Sequence, residues 1–315
     1  MDFKDFVQYM RKESEEKLGL EVRTVDTVKN NGLNLTGLVF EDNGTNAYVT
    51  LYLNNMYDQY QKGVELSQLV DTICEQYEQS RFTYSLDLSD FLDYEKAQKK
   101  IAFKLVNYNQ NRDMLKNMPH RRFLDLAIVY YYVVDNAPFN GRGSIKIDNT
   151  HLEVWGITEE QLYQNAKRTT PVLLPSSIVS ISECIKDMVY GSIRCTQNKN
   201  EQLARLLMQL LLLEELERED CISMYVITNP LCLNGAGCIL YDNILKNFAE
   251  TMGDDLYILP SSIHETIVIP VSDNQLPEYL REMVREINHT NIEVEERLAD
   301  NIYIYKRSTN TIEIA

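Results

Sequence analysis

The stretch from Asp254 to Val271 constrains the fold of this chain more than any other part of it. Two apolar β-type runs there flank a polar turn carrying Ser261, Ser262, His264 and Glu265, which predicts a strand, a tight turn and a return strand. Around this pair the periodicity alternates. Cys221 to Thr228 reads as a strand, Ile239 to Met252 as a helix closed by Gly253, Pro277 to Asn288 as a helix with proline in its first turn, and Asn301 to Lys306 as a strand. The order β, α, ββ, α, β argues for a mixed sheet with packed helices, and places the Pro260-Ser261-Ser262 bend at a rim of that layer.

The earlier part of the chain carries the same two periods. Asp2 to Leu18 puts Phe3, Phe6, Val7 and Met10 on one stripe ahead of Gly19, the signature of an amphipathic helix with a glycine cap. Leu20 to Val28, Leu33 to Glu41 and Ala47 to Leu53 alternate as strands, the last two joined through a hairpin turn at Asp42-Asn43-Gly44. Gly63 to Gln79 is predicted helical, with Leu66, Leu69, Val70, Ile73 and Cys74 inward. A short helix over Ser89 to Lys100 precedes strands at Ile101 to Tyr108 and Phe123 to Asp135, the second a β-branched and aromatic run suited to burial on both faces. Asn140 to Gly143 forms a turn into a strand at Ser144 to Ile147, and a brief helix ends at Trp155-Gly156. Thr158 and Gln161 form a capping box at the head of a helix from Glu159 to Lys167. Ser180 to Tyr190 and Asn198 to Glu219 are predicted helical. The fold class is therefore α+β, mixed β-sheets with packed helices. At 315 residues the chain exceeds one usual domain, so two closely associated units are expected, 1–150 and 151–315.

Charge and cysteine usage narrow the function classes. The 31 basic residues against 47 acidic ones give a net charge of -16, which repels polyphosphate, so no nucleic-acid partner is expected. The N-terminal residues lack the basic and apolar regions of a secretory signal, and the apolar run Leu206 to Leu213 is far shorter than the roughly 20 residues that span a bilayer. No membrane association is expected. Six cysteines with no Cys-x-x-Cys pair read as reduced structural thiols, which favours the cytoplasm.

Candidate chemistry is sparse. On a strand His264 and Glu265 point to opposite faces, while Ser262 and His264 share one. If the same residues form a helical turn, Ser262 and Glu265 make a capping box. These three positions, with Ser261, are the candidate ligand contacts. Asn234-Gly235-Ala236-Gly237 lies between a predicted strand and a helix, where glycine-rich loops cradle phosphates, yet it lacks the third glycine of the dinucleotide fingerprint and the Gly-Lys-Ser/Thr of a phosphate loop. The histidines at 120, 151, 264 and 289 show no metal-ligand spacing, so no metal and no cofactor are expected. Twenty tyrosines, clustered at Tyr48, Tyr52, Tyr57 and Tyr60 and at Tyr130 to Tyr132, reflect either a recognition surface or a compositional bias. The pentapeptide Leu174 to Ile178 recurs letter for letter at Leu259 to Ile263, which reflects either coincidence or shared turn chemistry, or else a true duplication.

The phrases Leu152 to Thr158, Leu162 to Ala166, Tyr257 to Glu265 and Leu298 to Tyr305 resemble an uncharacterised domain family of Gram-positive anaerobic bacteria. More distantly they are similar to another unknown-function family of bacilli. The resemblance spans roughly residues 90 to 310 and implies an intracellular bacterial protein of α+β fold, with no activity or catalytic residue to carry over. The preferred functional reading is a cytoplasmic binding or interaction protein whose ligand is an unknown protein or small molecule. A hydrolase or transferase with its site near Ser261, His264 and Glu265 is the second reading. A homo-oligomeric structural protein, with Asn198 to Glu219 as interface, is the third.

Overall fold

A computed structural model describes residues 1–41, 46, 48–81, 87–137, 141–184, 223–260, 262–273 and 276–315. They form two compact units, one of Met1–Asp93 with Val133–Ser144, the other of Tyr94–Tyr132 with Ile145–Ala315.

In the first unit, helix α1 (Phe3–Leu18) starts where the Asp2 carboxylate accepts the Asp5 N–H at 2.9 Å and ends at Gly19, whose φ of 65° suits a residue without Cβ. Strands β1 (Glu21–Val28), β2 (Asn34–Glu41) and β3 (Val49–Tyr52) form an antiparallel sheet in that order. Val22 lies opposite Phe40, so alternation sends Val22, Leu38 and Phe40 to one face, where Phe6, Met10, Leu69 and Ile73 cover them. Phe40 stacks on Tyr77 at 4.7 Å between ring centroids. Helix α3 (Leu66–Ser80) contributes Leu69, Val70, Ile73 and Cys74 as its pattern predicts. The expected turn at residues 42–44 lies outside the described residues, although Phe40 pairs with Val49 beyond it.

Helix α2 (Asn54–Gln61) is not announced by apolar spacing, because only Met56 of its residues is buried. Its Tyr57 and Tyr60 pack on Phe3 and Phe6 at 5.0 to 5.5 Å, so two members of the tyrosine cluster are spent on the fold. The single helix expected over Ser89 to Lys100 is instead α4 (Ser89–Leu92), α5 (Tyr94–Ala97) and a 3-10 turn, because Asp93 takes an extended conformation.

The second unit contains two sheets among the described residues. Strands β4 (Ile101–Asn107) and β5 (His120–Phe123), the latter following the single helical turn α6 (Arg112–Leu115), flank the part of β6 (Leu126–Ala137) that belongs to this unit, up to Tyr132; β6 also pairs with β7 (Gly141–Lys146), most of which is counted with the first unit. Every residue of β6 from Leu126 to Val133 is buried, as its unbroken β-branched and aromatic run predicts. Helix α7 (Asn149–Trp155) is capped by Asp148, and α8 (Glu159–Leu173) by the Thr158 and Gln161 box. Helix α8 runs beyond the predicted Lys167 because Thr170 anchors its last turns. The Thr170 hydroxyl donates to the Ala166 carbonyl at 2.5 Å and accepts the Phe103 N–H at 3.0 Å.

The larger sheet comprises β8 (Ser177–Ser180), β9 (Tyr225–Thr228), β10 (Leu256–Leu259), β11 (Thr266–Pro270), β12 (Tyr303–Lys306) and β13 (Thr311–Ile314), in the order β13-β12-β10-β11-β9-β8. Its ladders are antiparallel. The crossover from β9 through α9 (Ile244–Met252) returns parallel to β9, but the β10–β11 hairpin inserts β11 between the two. Helix α10 (Pro277–Asn291) covers one face, packing Leu280, Met283, Val284 and Ile287 on Val226, Tyr257, Leu259, Ile267 and Ile269.

Two helix starts are shifted. Ser180 closes β8, where Ser177 pairs with Thr228, and the helical residues begin at Ile181, with the Ser180 hydroxyl accepting the Glu183 N–H at 3.2 Å. The helix expected from Ile239 begins at Ile244 as α9, after a 3-10 segment, Gly235–Leu240, and Asn243 at φ 64°. The predicted helix Asn198 to Glu219, the apolar run within it, Cys195 and Cys221 lie outside the described residues. Cys74, Cys184, Cys232 and Cys238 are free.

Candidate functional site

The described residues between β10 and β11 are buried rather than open at a rim. Ser262, His264 and Glu265 are each less than a tenth exposed, and Ser261 lies outside the described residues. The cause is a strap formed by residues 293–300, which runs antiparallel across the bend. Ser262 bridges Arg297, the Ile263 N–H donates to the Glu296 carbonyl at 2.9 Å, and the Ala299 N–H donates to the Pro260 carbonyl at 3.1 Å. Asn288 of α10 holds the strap down, its amide donating to the Ala299 carbonyl at 2.8 Å and to Asp300 Oδ1 at 2.9 Å.

His264 stands between the strap and the loop that follows β9. Its Nδ1 accepts the backbone N–H of Asn234 at 3.2 Å. A peptide N–H can only donate, so Nδ1 carries the lone pair and the ring proton resides on Nε2, which faces Glu296 Oε1 at 3.4 Å. The imidazole is 8% exposed and the Glu296 side chain 18%. Ser262 does not meet the ring as a nucleophile would meet a base: its Oγ accepts the His264 backbone N–H at 2.9 Å, a local serine turn. The structure thus brings Ser262 to the His264 backbone and Glu296 to its ring.

The glycine-rich loop belongs to the same assembly. Asn229 folds it, its Oδ1 accepting the Leu231 N–H at 3.0 Å and its amide donating to the Leu233 carbonyl at 2.9 Å. Asn234 then takes a left-handed conformation at φ 54°, and the Ala236 N–H donates to the Ile263 carbonyl at 3.2 Å. Two amides of the motif therefore satisfy protein acceptors rather than facing an open phosphate cradle. Gly235 is required sterically. A Cβ there would overlap Thr228 Oγ1 and the His264 carbonyl oxygen and come within 2.9 Å of Thr228 Cα. The Thr228 hydroxyl donates to that same carbonyl at 2.8 Å.

Two other polar clusters sit in this unit. Arg121 is held by Glu159 and Glu160 and lies 4.0 Å above the Tyr163 ring; its hydrogen bonds to the two glutamates strengthen its hold on the proton. Burial, then the hydrogen bond to Glu159, raises the Tyr130 hydroxyl above its ordinary range. Asp125 accepts the Tyr303 hydroxyl at 2.6 Å and the Asn301 amide at 2.9 Å. Burial, then the Asp125 charge, holds Tyr303 protonated well above the usual tyrosine range. Among the described residues no group of three or more His, Cys, Asp or Glu is placed to hold a metal ion, and no helix is long and apolar enough to cross a membrane.

Sequence reasoning located His264 and the Asn234 to Gly237 motif but did not connect them, and it missed Glu296 and Thr228. Nothing local to Glu296 signals its role, because the strap's register on the bend is a tertiary outcome.

The fold and this assembly define an α+β protein with antiparallel sheets and a strapped, buried hairpin bend. The chain belongs to a family of unknown function, DUF5688, whose model matches residues 3–307. No curated protein and no solved structure matches it.

Proposed function

We propose that this chain is a binding or interaction protein of the bacterial cytoplasm, and that the bend carrying Ser262, His264 and Glu265 is a strut of its fold rather than a reaction centre. One observation carries the reading. His264, the residue best suited to acid–base work in that region, has its lone pair on a backbone N–H and its ring proton directed at Glu296, inside a strapped turn. A general base needs a free lone pair within reach of a substrate proton, and this imidazole offers none. The free cysteines among the described residues agree with a reducing compartment.

The test is metabolite and protein capture from native extract on immobilised chain, repeated with a His264→Gln variant whose fold is confirmed by circular dichroism. The reading expects the same species from both. A hydrolysis or transfer product formed by the parent and lost in the folded variant overturns it.

A further inference from the structure

We propose that Tyr108, Arg112, His120 and Arg122 form a binding site for a small-molecule phosphate monoester. The alternation of β5 builds it. His120 and Arg122 share one face of the strand, while Arg121 between them points to the other. On that other face Arg121 is neutralised by two glutamates. On this one the Arg122 guanidinium carbon lies 4.7 Å from the Tyr108 ring centroid, that of Arg112 at 6.0 Å, and the His120 ring at 6.2 Å.

Neither guanidinium has a carboxylate partner among the described residues. Arg112 spends one N–H on Asn109 Oδ1 at 2.8 Å, and Arg122 spends its Nε on the Leu124 carbonyl at 3.0 Å. Both keep Nη donors in the fork geometry that fits phosphate oxygens. His120 places Nδ1 2.9 Å from the Met118 carbonyl, which fixes the proton on Nδ1; its Nε2 then carries a lone pair, so the ring borders the site and leaves the hold on the anion to the two arginines.

In a chain with 47 acidic and 31 basic residues, carboxylates are abundant, so two arginines gathered on one tyrosine without any are an arrangement that a ligand anion would complete. Two fixed positive charges match the dianion of a phosphate monoester. The half-buried Tyr108 ring, packed below on the cluster of Val106, Leu115 and Met118 and covered above by the guanidinium groups, seats the two charges and leaves its edge for the esterified group. A nucleic acid is disfavoured by the net charge of -16 and by the short reach of the patch, since neighbouring Lys116 is already paired with Asp113 at 2.6 Å.

The experiment is calorimetric titration of the whole chain at low salt with inorganic phosphate, phenyl phosphate and a single-stranded oligonucleotide. Phenyl phosphate should bind in the micromolar to millimolar range and more tightly than inorganic phosphate. Arg112→Gln and Arg122→Gln should each weaken it about tenfold, while Lys116→Gln leaves it within about twofold. The fold of each variant is checked by thermal melting at Trp155. Absence of saturable phenyl phosphate binding below about 10 mM, or undiminished binding by the folded double variant, overturns the proposal. Tighter binding of the oligonucleotide than of phenyl phosphate replaces it with a nucleic-acid face. None of these outcomes bears on His264, so failure here leaves the strut reading standing.

Discussion

Replacing Gly235 by alanine should be among the most damaging single-methyl insertions in this protein. The added Cβ would overlap Thr228 Oγ1 and the His264 carbonyl oxygen and stand 2.9 Å from Thr228 Cα. Two of these atoms belong to the backbone, so no side-chain rotation relieves the clash, and the loop must retreat from the bend. Overpacking of a rigid site costs about 1–3 kcal/mol. The retreat also stretches the Asn234 and Ala236 contacts across the same seam, 3.2 Å each, and loss of the two adds about 1 kcal/mol apiece. The sum is about 3–5 kcal/mol, which at about 2–4 °C per kcal/mol for a unit of this size lowers the melting temperature by about 6–20 °C. The chain's single tryptophan, Trp155, lies in the same unit, so urea unfolding followed by its fluorescence reads the effect directly. Gly253→Ala is the control: its φ of 76° makes alanine cost about 1–2 kcal/mol, but a Cβ there meets nothing within 4 Å. If Gly235→Ala proves no more harmful than Gly253→Ala, the close approach of loop and bend is refuted.

Further expectations attach to the buried hydroxyls and thiols. Tyr303→Phe deprives an Asp125 oxygen of its 2.6 Å donor and should cost about 1–3 kcal/mol in urea unfolding; a loss under about 0.5 kcal/mol would deny the network a structural role. Burial pushes the Cys238 thiol from 9.0 up to about 11, so the folded state keeps a proton that the unfolded state releases between those values. Stability should be intact below pH 9 and fall by about 2–3 kcal/mol as pH rises toward 11, with raised Tyr130, Tyr241 and Tyr303 steepening the decline. Cys238→Ala should flatten that slope between pH 9 and 10.5, and an unchanged slope would mean that the thiol is hydrated in the native protein.

Much of the fold was legible because the informative segments are strongly periodic. Leu256 to Leu259 and Thr266 to Pro270 announce a hairpin as two apolar runs around a polar turn, and Thr158 with Gln161 announces α8 through capping chemistry. Strand β5 was invisible because its His-Arg-Arg-Phe sequence has no apolar alternation and none of its residues is buried, so only its pairing with β6 marks it. Strand β13 is short and largely exposed, so no hydrophobic signal marks it. The site was half legible. His264 stood out beside a carboxylate, but its ring faces Glu296 in the strap, a partner fixed only by tertiary register. The glycines of Asn234 to Gly237 were noticed, yet the atoms that demand Gly235 come from Thr228 and the His264 carbonyl.

The strand order of the larger sheet also bears on synthesis. β10 and β11 pair with each other, and β11 finds β9 already made, but the outer edge of β10 stays bare until Tyr303 to Lys306 arrives. While the ribosome adds the intervening residues, the nascent chain displays an apolar edge whose unpaired amides invite illegitimate strands. A pause in translation within α10 would prolong that exposure, making this interval the one in which a chaperone has most to protect.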